Sequence, residues 1–184
     1  MATKIVTGKV RFSFVNIWEP RAQNGGVPKY SITLLIPKSD RDTYTRIQTA
    51  MQEAAELFRQ KKGSSALPAK PNTTMHDGDG VRDNGDPFGP ECRGCWVITV
   101  SSKNQPIIVD RNRQTILDTS EVYSGCYGRV SMNFYGYNNS SGKKGISAEL
   151  LSVQKLADGQ PFGIVGSADD FDDGYKDADD DGWM

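Results

Sequence analysis

The chain has 184 residues, enough for one domain with a sizeable core, and its composition is globular apart from a surplus of glycine, 19 residues in all. No run near Met1 has the apolar centre of a signal peptide, and no stretch approaches the ~20 apolar residues of a membrane span, so the sequence reads as a soluble, non-exported protein with no membrane partner. The net charge of −1 hides a segregation: residues 167–184 hold eight aspartates and one lysine, a net of −7, which leaves +6 on residues 1–166. A basic body with an acidic extension suits a polyanion binder with a competing tail.

In chain order, residues 4–18 alternate, with Val6, Val10, Phe12 and Phe14 on one face and Thr7, Lys9, Arg11 and Ser13 on the other, the pattern of a long half-buried strand. Residues 29–36 repeat it with Tyr30, Ile32, Leu34 and Ile36, and the turn-rich segment between the two predicts a hairpin. Ser39 followed by Asp42 resembles a capping box. Tyr44, Ile47, Met51, Ala54, Ala55 and Phe58 then keep helical spacing up to Gly63, which predicts one amphipathic helix over about 40–62. Residues 63–94, dense in Gly, Pro, Asn and Asp, are too long for a tight connection and read as an inserted loop. Strands are predicted again over 95–102, 106–110, 115–117, 126–137 and 145–156. Two strands, a helix and further short strands fit an elaborated small barrel better than alternating βαβ units.

Within 126–137 the even positions Val130, Met132 and Phe134 are apolar, while the odd face presents Tyr127, Arg129, Tyr135 and Tyr137. Aromatic platforms beside a cation hold single-stranded nucleic acid with little sequence preference, because every base has a π-face. Packing beneath a loop is the alternative role for these tyrosines. Arg11, Lys103, Arg111, Arg113, Lys143 and Lys144 fall on polar faces or in turns and suit phosphate contacts. Trp18 lies near a strand end and joins this candidate surface, whereas Trp96 shares a face with Ile98 and Val100 and reads as core.

Three catalytic or metal patterns fail on inspection. His76, Pro90, Cys92 and Cys95 resemble a zinc deaminase signature, but Gly78 stands where the glutamate proton shuttle is needed. A structural zinc on Cys92, Cys95, His76 and Cys126 stays open, although three cysteines, too few for a disulfide framework, simply fit the reducing cytoplasm. Residues 136–143 miss a phosphate-binding P-loop by one residue between the glycines, and Lys144 replaces its hydroxyl. Asp177, Asp179, Asp181 and Gly182 open like an EF-hand loop that no glutamate closes. No catalytic constellation assembles, and no cofactor is expected.

The segments VYSGCY at 122–127, RVSMNFY at 129–135, KGISA at 144–148 and YSITLLIP at 30–37 resemble a family of bacteriophage and prophage single-stranded DNA-binding proteins with an oligonucleotide-binding (OB) fold. The likeness covers most of residues 1–160. The acidic run closed by an aromatic tip, Asp179, Asp180, Asp181 and Trp183, is similar to the tails of such proteins, without their proline–phenylalanine ending. The expected fold is mainly β: an OB-type small barrel with extra strands, one amphipathic helix and a long inserted loop. Residues 1–166 form the domain and 167–184 a disordered tail. The resemblance implies a non-enzymatic protein of the host bacterial cytoplasm that coats single-stranded DNA during phage replication or recombination. Its tail competes for the groove and recruits replication proteins. Duplex binding, a nucleic-acid chaperone or annealing role, a zinc-dependent nucleic-acid enzyme and homo-oligomerisation are the alternatives.

Overall fold

The computed structural model describes residues 3–22, 25–82, 84–139 and 142–162. The order of elements is β1 (Lys4–Val6), β2 (Val10–Arg21), β3 (Lys29–Pro37), α1 (Arg41–Lys62), β4 (Asn72–Thr73), β5 (Met75–Asp77), β6 (Cys95–Ser102), β7 (Ile107–Val109), β8 (Tyr127–Asn138) and β9 (Lys144–Ala157). The expected first strand is therefore two. It breaks at Thr7–Lys9, where the N–H of Gly8 donates to Thr43 Oγ1 at 2.9 Å and a side chain at position 8 would meet the Asp40 carboxylate.

The helix spans the expected residues, but its cap differs from the capping box. Asp40 is the N-cap and accepts from the Thr43 N–H at 3.1 Å, while the Gly63 N–H closes the other end on the Arg59 carbonyl. Its apolar stripe, Ile47, Ala50, Met51, Ala54 and Ala55, is buried against the sheet, and Phe58 packs closely on Gly136, where an added Cβ would sit 2.6 Å from the Phe58 Cβ and Cγ.

The strands form one nine-stranded sheet with the path β1-β8-β2-β3-β6-β9-β4; β5 joins β6, β7 joins β9, and β8 also pairs with β9. This corrects the expected OB-type small barrel. The sheet is mainly β with one long helix, as expected, but it is not closed into a barrel. β1 and β4 end the path, and two of the ladders that curl the sheet are vestigial: β2 meets β8 over two residue pairs and β6 meets β9 at one, Ser101 with Glu149. The sheet coils around a core of Phe12, Ile17, Ile32, Leu34, Ile36, Ile98, Val130, Met132, Phe134 and Leu150. The inserted segment 63–94 carries β4, β5 and a turn of 3-10 helix at Pro90–Cys92. Among the described residues no helix is long and apolar enough to cross a membrane.

Candidate nucleic-acid interface

β2, β3 and β6 run antiparallel in a shared register. Ser13, Thr33 and Thr99 form one row and Asn16, Ser31 and Ser101 the next. These small hydroxyl and amide side chains make a flat polar floor, tied at its centre by Thr33 Oγ1 and Thr99 Oγ1 at 2.9 Å. The inserted segment folds over one end of this floor. There Leu35, Cys92 and Val97 are buried together, with Phe88, Cys95 and Phe162 packed on them. A polar sheet face thus acquires an apolar wall.

An ionic clasp holds that wall. Lys38 Nζ donates to Asp77 at 2.6 Å and to Asp79 at 2.8 Å, and Asp79 also accepts from the Gly94 N–H at 3.0 Å. The bonds from Lys38 hold both carboxyls below the usual range, and the bonds to Asp77 and then Asp79 raise the lysine. Gly78 fits tightly beneath: a Cβ there would lie 2.1 Å from the Cys92 carbonyl oxygen. Burial pushes the thiols of Cys92 and Cys95 up, the setting of structural rather than reactive cysteines.

A second wall comes from an irregularity. Ser13 pairs with Thr33 and Asn16 with Ser31, so two residues of β2 oppose one of β3, a β-bulge. The bulge switches the parity of the strand. Phe12 is buried before it and Ile17 after it, while Phe14, which alternation assigns to the core, is turned out to 62% exposure at φ +46°.

Between the walls lies a hollow of about 580 Å³ lined by Ser13, Phe14, Arg21, His76, Arg82 and Phe88 among others. It adjoins a second hollow of about 330 Å³ through Arg21, Ser31 and Thr99, and that one meets a third, of about 340 Å³, through Lys29 and Ser101. The three form one trough across β3 and β6, ending at Lys103 and Tyr135. Arg21, Lys29, Arg82 and Lys103 line it against a single carboxylate, Glu149. None of the four cations has an ion-pair partner among the described residues, and Arg82 lies over the Phe88 ring at 4.8 Å.

A cationic trough with aromatic walls and a hydroxyl floor is suited to a chain of phosphates and bases. Residues 3–183 match the family model described as the single-stranded DNA-binding protein of Enterobacter phage Enc34. The chain belongs to this family. It is 34% identical over 179 residues to protein p50 of Acyrthosiphon pisum secondary endosymbiont phage 1, covering 92% of this chain and 93% of that one. It is similar to the solved structure of the Enc34 single-stranded DNA-binding protein in complex with single-stranded DNA, with TM-score 0.71, 34% identity, and coverage of 88% and 90% of the two chains. The gp2.5 single-stranded DNA-binding protein of bacteriophage T7 shares the fold, with TM-score 0.60 at 13% identity over 89% of this chain and 97% of that one.

The residues singled out in the sequence of this Enc34-family chain are scattered. Lys103 and Tyr135, the latter 40% exposed, line the far end of the trough. Arg11 and Tyr127 line a further hollow that shares Leu35 with the first. Arg11 is engaged internally there, donating to the carbonyls of Gly125 and Gln160 at 3.0 and 2.7 Å and lying over Phe162 at 4.3 Å, while Tyr127 sits under Lys9 and Arg11. Arg129 Nε donates to the Thr7 carbonyl at 2.8 Å. Trp18 is half-buried against the core, its buried indole N–H without a partner among the described residues. Tyr137 is half-buried, with its hydroxyl close over Gly145. Arg111, Arg113 and Lys143, in turns or loops, and Lys144, at the start of β9, are exposed and do not line the trough. Asp179, Asp180, Asp181 and Trp183 lie outside the described residues.

His76 tilts against Phe88 at a ring separation of 6.1 Å, Cys126 belongs to a different buried cluster from Cys92, and no group of three potential metal ligands occurs among the described residues. Sequence reasoning missed Phe14, Arg21, Lys29, Arg82 and Phe88. The legible signal was the parity switch from Phe12 to Ile17, which marks a bulge.

Proposed function

We propose that this protein binds single-stranded DNA without sequence specificity along the trough over β3 and β6, coating exposed strands during phage DNA replication or recombination in the host bacterial cytoplasm. The observation that carries the reading is the continuity of three hollows lined by Arg21, Lys29, Arg82 and Lys103, none of them ion-paired among the described residues, over a floor of hydroxyls. Such cations set affinity through phosphates, and the floor offers no array of donors and acceptors fixed to one base sequence. The names carried by its relatives agree with binding rather than catalysis.

The test is a titration with homopolymeric single strands, and with duplex as the comparison, over a range of salt. With four phosphate contacts the log–log salt slope is about −3, from ~0.7 per contact on single strands. Arg82→Gln and Lys29→Gln each remove about 0.7 from it. Wild-type slopes in both variants would overturn the assignment of the trough, and equal affinity for duplex would favour the annealing role.

The acidic residues 167–184 compete for this trough and recruit replication proteins through Trp183. Support comes from where the chain leaves the described fold. Phe162 packs on the Leu35–Cys92–Val97 cluster at the edge of the trough, its N–H donating to the Ser124 carbonyl at 3.1 Å. A segment of net −7 attached there is presented at millimolar-scale effective concentration. Deleting residues 167–184 therefore tightens binding at low salt, with a gain that shrinks as salt screens the competition. Identical affinities of truncated and full chain at every salt concentration would remove the competing role.

A further inference from the structure

We propose that Phe14 is a base-stacking platform of the trough, thrust out of the core by the bulge in β2, with Phe88 and Arg82 as the facing wall. The inference rests on the trough being the path of the DNA strand.

Two features of Phe14 work against the fold. Its φ of +46° is a left-handed conformation that bulky side chains rarely adopt and glycine adopts freely. Its ring, 62% exposed, leaves most of a large apolar surface in water. A bulge needs neither, since glycine at its first position forms the same turn without strain. The ring makes no aromatic or cation contact among the described residues, in contrast to Phe88, which carries Arg82 at 4.8 Å and His76 at 6.1 Å. Strain and exposure that coincide at one residue are explained by a partner absent from the free protein.

Position identifies the partner. Phe14 and Phe88 line the same hollow above the polar floor, and its volume of about 580 Å³ lies within the range of sites that enclose small-molecule-sized groups. The cation at Arg82 stands beside this space, where a phosphate following the stacked base would need it. The group recognised is the flat face of a nucleobase in an unpaired strand, whatever its identity.

Opposite signs of two effects test the inference. Phe14→Gly relieves the left-handed strain and removes exposed apolar surface, so its melting temperature stays at or above wild type. Its affinity for an oligothymidylate falls about 5- to 150-fold, the loss of one base stack. Phe14→Tyr, which keeps the ring, recovers most of that loss. On a strand of abasic sites, wild type and Phe14→Gly bind alike, because no base is left to stack. Unchanged oligothymidylate affinity in Phe14→Gly, an equal loss on the abasic strand, or a lowered melting temperature would each overturn the proposal. If Arg82→Gln and Lys29→Gln weaken binding while Phe14→Gly does not, the trough stands and the stacking role falls. If all three bind as wild type, the assignment of the trough itself fails.

Discussion

β2 and β8 are both twelve-residue strands with alternating apolar side chains, yet their other faces serve different ends. β8, whose own alternation runs unbroken although its ladder with β9 shifts register twice, is clothed. Its Arg129 is bonded to the Thr7 carbonyl, Ser131 to the hydroxyl of Ser152, and Asn133 to Thr3 Oγ1, while Gly128 and Gly136 admit Phe12 and Phe58 at distances no Cβ would allow. The irregular strand, β2, uses its bulge to expose Phe14 and borders the polar floor of the trough. Alternation identifies which side chains avoid the core. It does not say which remain free, because that depends on how many neighbours the strand acquires.

The contrast can be broken by experiment. The largest effect is expected at Gly128, where a Cβ would fall 2.1 Å from the Gln154 carbonyl oxygen and 2.5 Å from the Phe12 ring. Gly128→Ala lowers stability by about 1–3 kcal/mol, the range for overpacking, and leaves the single-strand affinity of the folded protein intact. Arg129→Met follows with a loss of about 0.5–1.5 kcal/mol, for one hydrogen bond, and no change in salt slope. Denaturant unfolding and salt-dependent titration of the same preparations read both quantities. A slope smaller by about 0.7 in Arg129→Met would mean that β8 contacts phosphate and that the division between the strands is wrong.

The smallest effect belongs to the clasp of Lys38 with Asp77 and Asp79. Both carboxyls are depressed in the folded protein, so their contribution is complete above the ordinary carboxylate range and is lost as pH falls through the depressed values. Lys38 is raised, so its contribution persists until pH climbs past the usual lysine range. Between those limits the wall of the trough is insensitive to pH. Below them, hydrogen exchange of the Gly94 amide, bonded to Asp79, should accelerate before that of the β3 amides. Simultaneous acceleration would show that the clasp does not hold the wall separately.

Much of the fold was legible because it rests on local periodicity. The helix over Arg41–Lys62 and strands β3, β6, β8 and β9 follow from apolar spacing bounded by glycine or turn residues. That the sheet stays open where a barrel was expected was not legible, since closure depends on how far β2 reaches β8 and β6 reaches β9, contacts between residues more than forty positions apart. The candidate site was only half legible. Lys103, just past the end of β6, and Tyr135, on the exposed face of β8, were found, but Arg21, Lys29, Arg82 and Phe88 come together only when the hairpin and the inserted segment meet over one face. Phe14 was assigned to the core because a period of two, extended through an extra residue, reverses every side chain beyond it.

Strand β9 is drawn upon by β4, β6, β7 and β8, four partners contributed by chain segments between residues 72 and 138. Every one of them is synthesised earlier. A ribosome must therefore release the chain through residue 146 before β4 has a neighbour in the sheet, through 154 for β7, and through 157 for the whole ladder of β8. Until then the nascent molecule displays raw strand edges. Assembly is governed by contacts distant in sequence, the class that forms slowly. The last described strand acts as a keystone of the sheet, and it adds the one carboxylate, Glu149, that lines the trough.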